Sequence, residues 1–466
     1  MATAQIDESR IHVRNERASR DGAYVLYWMQ QSQRAECNHA LEFAVQQANQ
    51  HGVPLLVVFG LMDDYPEANV RHYRFMLEGL RETVRALDRR KIKMVIQRGA
   101  PPEVALRLGK RAVLIVCDRG YLRHQREWRA QVAREARCQV MEVEGDVVVP
   151  VSVVSQKAEY AARTLRPKLH KHLEDYLVDF NTTPVEQDSR RLDVSTLDLE
   201  DLDAVLRKLK LETDVRPVGH FFQGGTSQAR RLLDTFLEQH LRHYQENRNQ
   251  PQTDVTSHLS KYLHFGQISP VYVAVKARGV TQAARDQRAS FLEELIVRRE
   301  LSMNFVRYTK DYDQYSCLPE WARKTLAKHQ DDPREHVYTK QQLEDAETHD
   351  PYWNAAMREM RYTGYMHNYM RMYWGKKILE WTNTPSYAYR VALELNNKYF
   401  LDGRDANSYA GVGWVFGLHD RPWQEREIFG TVRYMSASGL ERKSDIQGYV
   451  EKVDRLVAVS REAWGE

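Results

Sequence analysis

Aromatic side chains that could carry an electron are concentrated at residues 361–381, in the run RYTGYMHNYMRMYWGKKILEW. The tyrosines of this run recur at three- and four-residue spacing, which predicts one shared helical face: they are Tyr362, Tyr365, Tyr369 and Tyr373. Trp374 and Trp381 are seven residues apart, so a helix places one above the other at a rise of roughly 10 Å. Indoles at such distances could pass an electron stepwise from the surface to a buried oxidant.

The same tryptophans could equally fill a helical core. Large aromatic side chains are common in protein cores, and spacing alone favours that interpretation for any one of them. Trp353, which precedes the run in DPYWNAA, has the same two interpretations. Because an electron relay also needs a redox cofactor, the choice depends on the rest of the chain.

The helices that would position these residues occupy the second half of the chain. Strand signals end near Gly225, and apolar residues then recur with helical periodicity over 227–247, 284–308 and 359–380. The pattern predicts an all-α C-terminal domain at residues 206–466.

The first third of the chain has a different pattern, in which β-branched runs alternate with amphipathic segments. The runs cover residues 23–29, 53–61, 93–99, 112–118 and 139–144. They predict a Rossmann-like domain at residues 23–150, with a parallel sheet between two layers of helices. Such sheets bind ligands beyond the carboxyl ends of their strands, although we find no GxGxxG or GxxxxGK[ST] motif here. We expect a flexible terminus at 1–22 and an interdomain connection at 151–205.

The composition excludes several classes of protein. Of the 466 residues, 42% are hydrophobic and 28% are charged, as in folded globular proteins. A net charge of +4 requires any nucleic-acid contact to use a local basic patch. The four cysteines form no CxxC pair, which argues against a disulfide framework or a zinc site. Since no signal peptide or membrane span is evident, we expect a soluble intracellular protein that binds no metal and no membrane.

Several longer motifs follow one another in the order of a known family. They are TSHLSKYLHFGQIS at 256–269, FLEELIVRREL at 291–301, THDPYWNAA at 348–356, MRMYWGKKILEW at 370–381, LDGRDANSYAG at 401–411 and HDRPWQERE at 419–427. With VLYWMQQSQRAECNHAL near the N-terminus, they resemble the photolyase and cryptochrome superfamily, and within it the class II cyclobutane pyrimidine dimer photolyases. The resemblance implies an N-terminal α/β domain, a helical domain that holds FAD, and light-dependent repair of pyrimidine dimers in DNA.

The resemblance assigns one set of residues to the FAD phosphates: Tyr244, Thr256, Ser257, Leu259 and Ser260. Hydroxyls and free N–H groups at a helix start suit a pyrophosphate. Serine and threonine are also common N-caps that bind no ligand.

Four further residues match contacts of the flavin ring. Arg371 and Asp402 match an ion pair beside the isoalloxazine, where a fixed cation would stabilise the anionic reduced flavin. Asn396 matches the residue that faces N5, and Asn407 matches a nearby contact. An amide can donate or accept a hydrogen bond and therefore suits both redox states.

For the lesion, the resemblance implies a pocket of Glu294, Met372 and Trp414. Glu294 would share a proton with a pyrimidine carbonyl as charge develops there. Trp414 would pack against the flipped-out dimer. Arg248 and Arg433 match cations near the lesion and its phosphates, although glutamates and arginines in charged runs are most often simply solvated.

With a flavin present, the relay becomes the favoured interpretation of the tryptophans. Trp353, Trp374 and Trp381 match the class II electron-transfer chain. The expected partner is duplex DNA with a UV-induced pyrimidine dimer, bound by a monomer through a basic face. That face is predicted to include Arg163, Arg166 and Lys168. A deazaflavin-type antenna pigment at the N-terminal sheet is a further expectation.

Some positions depart from the family pattern. Val297 and Arg298 stand where some relatives carry a tryptophan against the lesion. Met303 and Cys37 each replace an expected aspartate, and GWVFGLHD is one residue shorter than usual close to Trp414. The changes near the lesion favour the leading alternative, a cryptochrome-like blue-light photoreceptor without repair, whereas the matched lesion residues favour repair. A further alternative is repair of (6-4) photoproducts, but we find no match in this sequence to the histidine motif of (6-4) photolyases. A non-photochemical electron-transfer flavoprotein fits the sequence least well.

Overall fold

The computed structural model describes residues 6–178 and 181–466. The strands of its N-terminal sheet are β1 (Ile11–Val13), β2 (Tyr24–Trp28), β3 (Leu55–Leu61), β4 (Lys93–Arg98), β5 (Ala112–Asp118) and β6 (Gln139–Val143). Their order is β1-β6-β5-β2-β3-β4. The strands from β2 to β6 are mutually parallel, and β1 pairs antiparallel with β6. The predicted α/β fold class is confirmed.

Helices cover both faces of this sheet, so β2, β3 and β5 are buried throughout. The helices are α1 (His39–Gln50), α2 (Val70–Arg89), α3 (Pro101–Gly109) and α4 (Arg123–Glu135). Along β2, Val25 and Tyr27 pack in the core under α1 and α2. Leu26 and Trp28 pack in the opposite core under α3 and α4, as the two-residue period of a strand requires.

Residues 6–22 carry more structure than predicted for a flexible terminus. A short 3-10 helix spans Glu8–Arg10, and β1 then pairs with the last residues of β6. The sequence pattern missed β1 because three residues are too few to establish an alternation.

Residues 151–205, predicted as a connection, are partly helical. They contain α5 (Val151–Val154) and α6 (Ala162–Tyr176), and α7 (Leu202–Arg207) begins at their end. Between 181 and 201 the chain has no helix or strand and runs along β4, where Leu197 N donates to Ile96 O at 2.8 Å. Residues 179–180, also within the predicted connection, lie outside the described residues.

Beyond α7, the described chain consists of helices joined by loops, and one β-bridge links Arg426 and Gly430. Its helices are α8 (Thr226–Thr235), α9 (Tyr244–Asn247), α10 (Ser260–His264), α11 (Pro270–Arg278), α12 (Arg285–Leu292), α13 (Arg299–Tyr308), α14 (Glu320–Lys328), α15 (Lys340–Glu344), α16 (Pro351–Thr363), α17 (Asn368–Trp381), α18 (Pro385–Tyr399), α19 (Ala406–Val415), α20 (Ala437–Lys443) and α21 (Ile446–Trp464). Short 3-10 turns span Leu241–His243 and Tyr315–Cys317. In the described part of the chain, we find no helix with the length and apolar character needed to cross a membrane.

The predicted single helix over 359–380 is wrong, because the chain forms two helices there. Gly364 caps the end of α16 in the left-handed conformation (φ 71°), and the His367 side chain caps the start of α17. The four tyrosines therefore do not share one helical face. Trp374 and Trp381 both remain on α17.

The other two predicted long helices contain π-helical turns. One turn, Phe236–His240, follows α8, and the other, Glu293–Arg298, joins α12 to α13. Such turns are frequent at functional sites because the extra residue redirects the side chains that follow.

Buried arginines join the sheet to the helical part. On α2, Arg71 donates to the carbonyl oxygens of Tyr399 at 2.8 Å and Met360 at 3.3 Å. After β2, Arg34 donates to Gly266 O at 2.9 Å. Because a buried guanidinium needs acceptors, these contacts fix the sheet domain against α16, the last residue of α18 and the turn after α10.

Candidate functional site

A large cavity lies in the helical part, between α17, α18, α19 and the π-helical turn before α13. It holds about 1600 Å³ of empty space, its open mouth included. Most residues assigned by the resemblance line it: Tyr244, Arg248, Thr256, Ser257, Leu259, Ser260, Glu294, Arg371, Met372, Trp374, Asn396, Asp402, Asn407 and Trp414. The structure does not place Trp353, Trp381 or Arg433 on its wall.

An ion pair marks one end of the cavity. Arg371 Nη2 lies 3.0 and 3.1 Å from the two carboxylate oxygens of Asp402. The Arg371 guanidinium also stacks on Phe400, with Cζ 3.8 Å from the ring centroid. Burial alone would raise the pKa of Asp402, but Arg371 and a hydrogen bond from Ser260 hold that pKa below its usual value. The carboxylate is therefore ionised, and it fixes the cation in place.

The loop before α10 forms the adjoining wall. His258 has a positive φ of 53°, and the Thr256 hydroxyl lies 3.1 Å from Tyr365 Oη. These features hold the loop so that Ser257 and Ser260 line the cavity.

Lys261, which the sequence analysis did not single out, lies behind this wall. Its Nζ donates to His258 O at 3.0 Å and lies 3.6 Å from the ring centroid of Phe222. Burial lowers the pKa of Lys261 to about 7, although Asp402 acts in the opposite direction. The position of this lysine in the TSHLSK motif was visible in the sequence, but its burial was not.

Several features of the cavity fit an FAD molecule. Trp374 Nε1 and His258 Nδ1 are buried without a hydrogen-bond partner among the described residues, so each is available to a polar ligand atom. A side chain at Gly411 would extend into open space, which gives a flat ligand close access to the backbone. The serine hydroxyls suit phosphates, and the Arg371 cation suits an anionic ring.

The two asparagines at this end are held differently. Asn396 is 5% exposed, and its Nδ2 donates to Asn397 Oδ1 at 3.0 Å. Asn397 Nδ2 in turn donates to Glu67 Oε2 at 2.6 Å, which fixes the Asn396 amide. Asn407 is exposed and donates to Asp405 at 3.3 Å. Asn396 therefore has the more rigid side chain.

A second ion pair lies on the wall of the same cavity. Arg248 Nη2 lies 2.8 Å from Glu294 Oε1, and its guanidinium lies over the ring of Tyr244. Arg298, named in the sequence only as a departure, stacks on Trp414 with Cζ 5.5 Å from the ring centroid. Arg248, Glu294, Arg298 and Trp414 all line this cavity, and Arg298 is the cation that contacts Trp414.

Arg433 does not line this cavity. It stacks on Trp423 at 4.6 Å, and Trp423 is 38% exposed. Both residues belong to the loop that carries the Arg426–Gly430 bridge.

The three tryptophans of the predicted relay form a buried series. Trp374 lines the cavity. Trp353 Nε1 donates to Trp374 O at 2.9 Å, and the Trp353 ring lies 5.7 Å from that of Trp381. Trp353 therefore lies between the other two, although it is on α16 and they are on α17. Even the outer indole, Trp381, is only 3% exposed, and Tyr338 and His349 pack on its ring.

A smaller cavity lies at the carboxyl ends of β2 and β3, where the fold class predicts a ligand site. Its wall includes Gln30, Tyr65, His72, Trp128, His264 and Arg404. We call it the sheet cavity, and the larger one the helical cavity. Cys37 does not line the sheet cavity.

The predicted basic face is partly neutralised. Arg166 pairs with Glu293 at 2.7 Å, and Lys168 pairs with Glu159. Arg163 stays a prediction as a DNA contact.

Comparison with known proteins identifies the family. The family model described as DNA photolyase matches residues 25–189. A deoxyribodipyrimidine photo-lyase of Methanothermobacter thermautotrophicus is 49% identical over 439 residues, which cover 94% of this chain and 96% of the relative. The chain belongs to the DNA photolyase family. As a member of this family it is a DNA-repair enzyme, a lyase of the deoxyribodipyrimidine photo-lyase type, and the cofactor of the family is FAD.

Eukaryotic relatives support the same assignment. A deoxyribodipyrimidine photo-lyase of Arabidopsis thaliana is 40% identical and matches 94% of this chain and 90% of the relative. One from Potorous tridactylus is 36% identical, with 92% and 81% covered.

Solved structures share the fold of this photolyase at low identity. A class III photolyase of Agrobacterium tumefaciens superposes with a TM-score of 0.69 at 17% identity, covering 96% of this chain and 99% of the other. A cryptochrome of Synechocystis gives 0.72 at 16%, covering 96% and 94%. The predicted combination of an α/β domain with a helical domain is therefore confirmed.

Proposed function

We propose that this photolyase is a class II enzyme that repairs cyclobutane pyrimidine dimers in duplex DNA. The supporting observation is one cavity whose wall carries both Arg371 with Asp402, which we call the cofactor end, and Glu294 with Trp414, which we call the lesion end. Bound FAD, when fully reduced and excited by blue light, supplies the electron that splits the cyclobutane ring and then receives it back.

At the cofactor end, the residues hold FAD and set its charge. Arg371, fixed by Asp402, presents a cation to the flavin ring and favours its anionic form. Asn396, with its amide held by Asn397, would face the ring, and Asn407 would make a second contact. The phosphates would be held by Tyr244 at the start of α9 and by four residues at or before the start of α10: Thr256, Ser257, Leu259 and Ser260.

At the lesion end, the residues receive a dimer that has been extruded from the duplex. Damaged pairing and stacking lower the cost of extrusion. Met372 and Trp414 pack on the pyrimidines, and Glu294 shares a proton with a pyrimidine carbonyl as charge develops there. Arg248, oriented by its pair with Glu294, binds the nearby backbone, as does Arg433 from its exposed loop.

The buried tryptophans restore the working state of the cofactor. An electron passes inward from Trp381 through Trp353 to Trp374, which lines the cavity. The contact between the Trp353 and Trp381 rings and the hydrogen bond from Trp353 to Trp374 support this order.

The sheet cavity is proposed to hold a deazaflavin-type antenna pigment. The rings of Tyr65, Trp128 and Phe265 on its wall suit a flat aromatic ligand. A solved archaeal photolyase from Sulfolobus tokodaii, 15% identical with a TM-score of 0.69, contains two FAD molecules, which are taken to imply a novel light-harvesting cofactor in that protein.

The decisive experiment is a repair assay. Photoreduced protein is mixed with a thymine-dimer oligonucleotide, illuminated with blue light, and assayed for restored thymines. We expect repair, with a loss of about tenfold in Trp414→Ala at unchanged FAD content. No repair despite bound, fully reduced FAD would contradict the proposal and favour a photoreceptor.

The relay has a separate test. Trp374→Phe and Trp381→Phe should each block photoreduction of oxidised FAD and spare repair by chemically reduced enzyme. Photoreduction that survives in both variants would disprove the relay.

A further inference from the structure

The π-helical turn between α12 and α13 sends its two glutamates to different neighbours. Glu294 pairs with Arg248 in the helical cavity. Glu293 instead accepts hydrogen bonds from Arg166 of α6, from Nε at 3.0 Å and Nη2 at 2.7 Å. Arg298, the last residue of the turn, lines the cavity beside Glu294. The π-helical turn thus places Arg298 on the wall of the helical cavity, whereas Glu293 does not line that cavity.

Arg298 is held on two sides. Its guanidinium lies over the indole of Trp414, with Cζ 5.5 Å from the ring centroid, within cation–π range. Its Nε lies 3.4 Å from Glu293 Oε1, and the side chain is 35% exposed. Since Arg166 fixes Glu293, these residues form a series from α6 to the cavity wall.

Arg298 has an N–H group that no protein atom of the described residues accepts. Its Nε is shielded from solvent and has no hydrogen-bond partner among residues 6–178 and 181–466, so its contact with Glu293 is electrostatic only. Neighbouring Arg248 pairs with Glu294, and neighbouring Arg299 donates to Asp146 O at 2.6 Å. The planar guanidinium of arginine carries five N–H donors, a geometry suited to phosphate and carbonyl oxygens.

We propose that Arg298 is a specificity-determining residue of this photolyase, which forms one lesion wall with Trp414 and donates hydrogen bonds to an oxygen of the extruded dinucleotide. Trp414 supplies the flat face, and Arg298 supplies the donors and the charge. Glu293 is a positioning residue, which acts on the lesion through Arg298. The inference rests on the proposed repair of pyrimidine dimers.

The test is dark binding of FAD-loaded protein to a duplex with one thymine dimer and to the same duplex undamaged, followed by fluorescence anisotropy. In Arg298→Met, we expect about tenfold weaker binding of the dimer duplex and less than twofold change for the undamaged one. Arg298→Lys, which keeps the charge but loses the planar fork, should lose about threefold or more. The matched control is Arg358→Met, because Arg358 is 34% exposed and paired with Asp454 away from the cavity wall.

The outcomes separate the inference from the function on which it rests. If wild-type protein prefers the dimer duplex and Arg298→Met retains that preference within twofold, the role of Arg298 is disproved and dimer recognition stands. If wild-type protein shows no preference, both are contradicted. Equal losses on both duplexes would make Arg298 a general DNA contact and would overturn its role in specificity.

Glu293→Gln tests the positioning role. It should weaken dimer binding about threefold in the wild-type background and have no effect in the Arg298→Met background, because its action passes through Arg298. A merely structural role would give the same loss in both backgrounds, which would overturn the positioning assignment.

The acceptor oxygen is identified with a dimer whose internal phosphate is a neutral methylphosphonate. If Arg298 binds that phosphate, the penalty of Arg298→Met disappears on this substrate, and on the ordinary dimer the salt slope of binding falls by about one. If the penalty persists, the acceptor is a pyrimidine carbonyl. Either result supports a lesion contact.

Discussion

The sheet cavity and the helical cavity lie on opposite sides of the segment 400–405. Arg404 lines the sheet cavity, whereas Phe400 and Asp402 line the helical one. The sheet cavity is walled by rings, amides and histidines, such as Trp128 and His264. The helical cavity carries two ion pairs and Trp374, the first indole of the proposed relay.

The difference shows how a binding space and a reactive site arise separately. A parallel sheet leaves a crevice at its carboxyl ends whatever side chains line it, so the sheet cavity follows from topology. The helical cavity depends on particular charged and aromatic residues from several helices and loops. We therefore expect substitutions in the helical cavity to affect chemistry strongly and those in the sheet cavity to affect it weakly.

The largest effect should come from the middle of the relay. Trp353→Phe removes the indole between Trp374 and Trp381, and phenylalanine is much harder to oxidise. Photoreduction of oxidised FAD, followed by absorbance under blue light, should slow about 100-fold, since about 2.7 kcal/mol added to a barrier is a factor of 100. Trp128→Phe in the sheet cavity is the matched control. Equal slowing in both variants would contradict a specific role of Trp353 in carrying electrons to the flavin.

A second large effect is expected at the cofactor ion pair. Arg371→Met leaves the carboxylate of Asp402 buried without its main partner, so the free energy of unfolding should fall by about 3 kcal/mol. FAD should bind about tenfold more weakly, as measured by the ratio of flavin to protein absorbance. Arg358→Met, at the exposed pair with Asp454, should change stability by less than about 1 kcal/mol. If Arg371→Met retains its full flavin content, the assignment of this ion pair to FAD binding is wrong.

The sheet cavity should determine part of the response to acid. Burial lowers the pKa of His264 to about 4, below the usual histidine value. Between about pH 6.5 and 4, the unfolded chain therefore binds a proton at this position that the folded protein does not. Stability should fall with falling pH in that window and be unaffected by His264 above it.

His264→Gln should make that acid dependence less steep. Because His264 is only partly buried, we expect a change of about 1 kcal/mol per pH unit, less than the full single-proton value. Urea unfolding at several pH values measures it. An unchanged slope would mean that His264 titrates normally in the folded state.

The smallest effect on repair should come from opening the sheet cavity. Trp128→Ala removes one aromatic wall, yet the helical cavity and the tryptophan series are untouched. FAD content and repair under saturating light should stay within twofold of wild type, and any loss should appear only under limiting light. A severe loss of repair at saturating light would contradict the separation of the two cavities.

Much of the fold could be predicted from local sequence. The five parallel strands were predicted with starts within two residues of those observed, because each contains a short apolar, mostly β-branched stretch next to polar residues. β1 was not predicted because it is short and is defined by its pairing with β6. The break at Gly364 was missed because aromatic periodicity continued across a glycine that caps a helix.

The candidate site was predicted less evenly. The motif match selected fourteen residues that line one cavity, but their roles stay predictions. Lys261 and Arg298 were not selected, because burial and stacking across helices leave no periodic trace in the sequence. Arg166 was predicted to belong to a DNA-binding basic face, and the structure pairs it with Glu293. Pairing of charges distant in sequence depends on the packed arrangement of α6 against the π-helical turn.

By itself, the sequence determined that an α/β domain precedes a helical domain. It also determined that aromatic residues are concentrated near Trp353, Trp374 and Trp381. Both follow from local periodicity and residue type. Only the tertiary structure decided that Trp353 stands between the other two, and that Trp381 is buried under Tyr338 and His349. The reason is physical: an electron relay depends on distances between rings, and distances between α16 and α17 are set by helix packing, which sequence spacing within one helix does not encode.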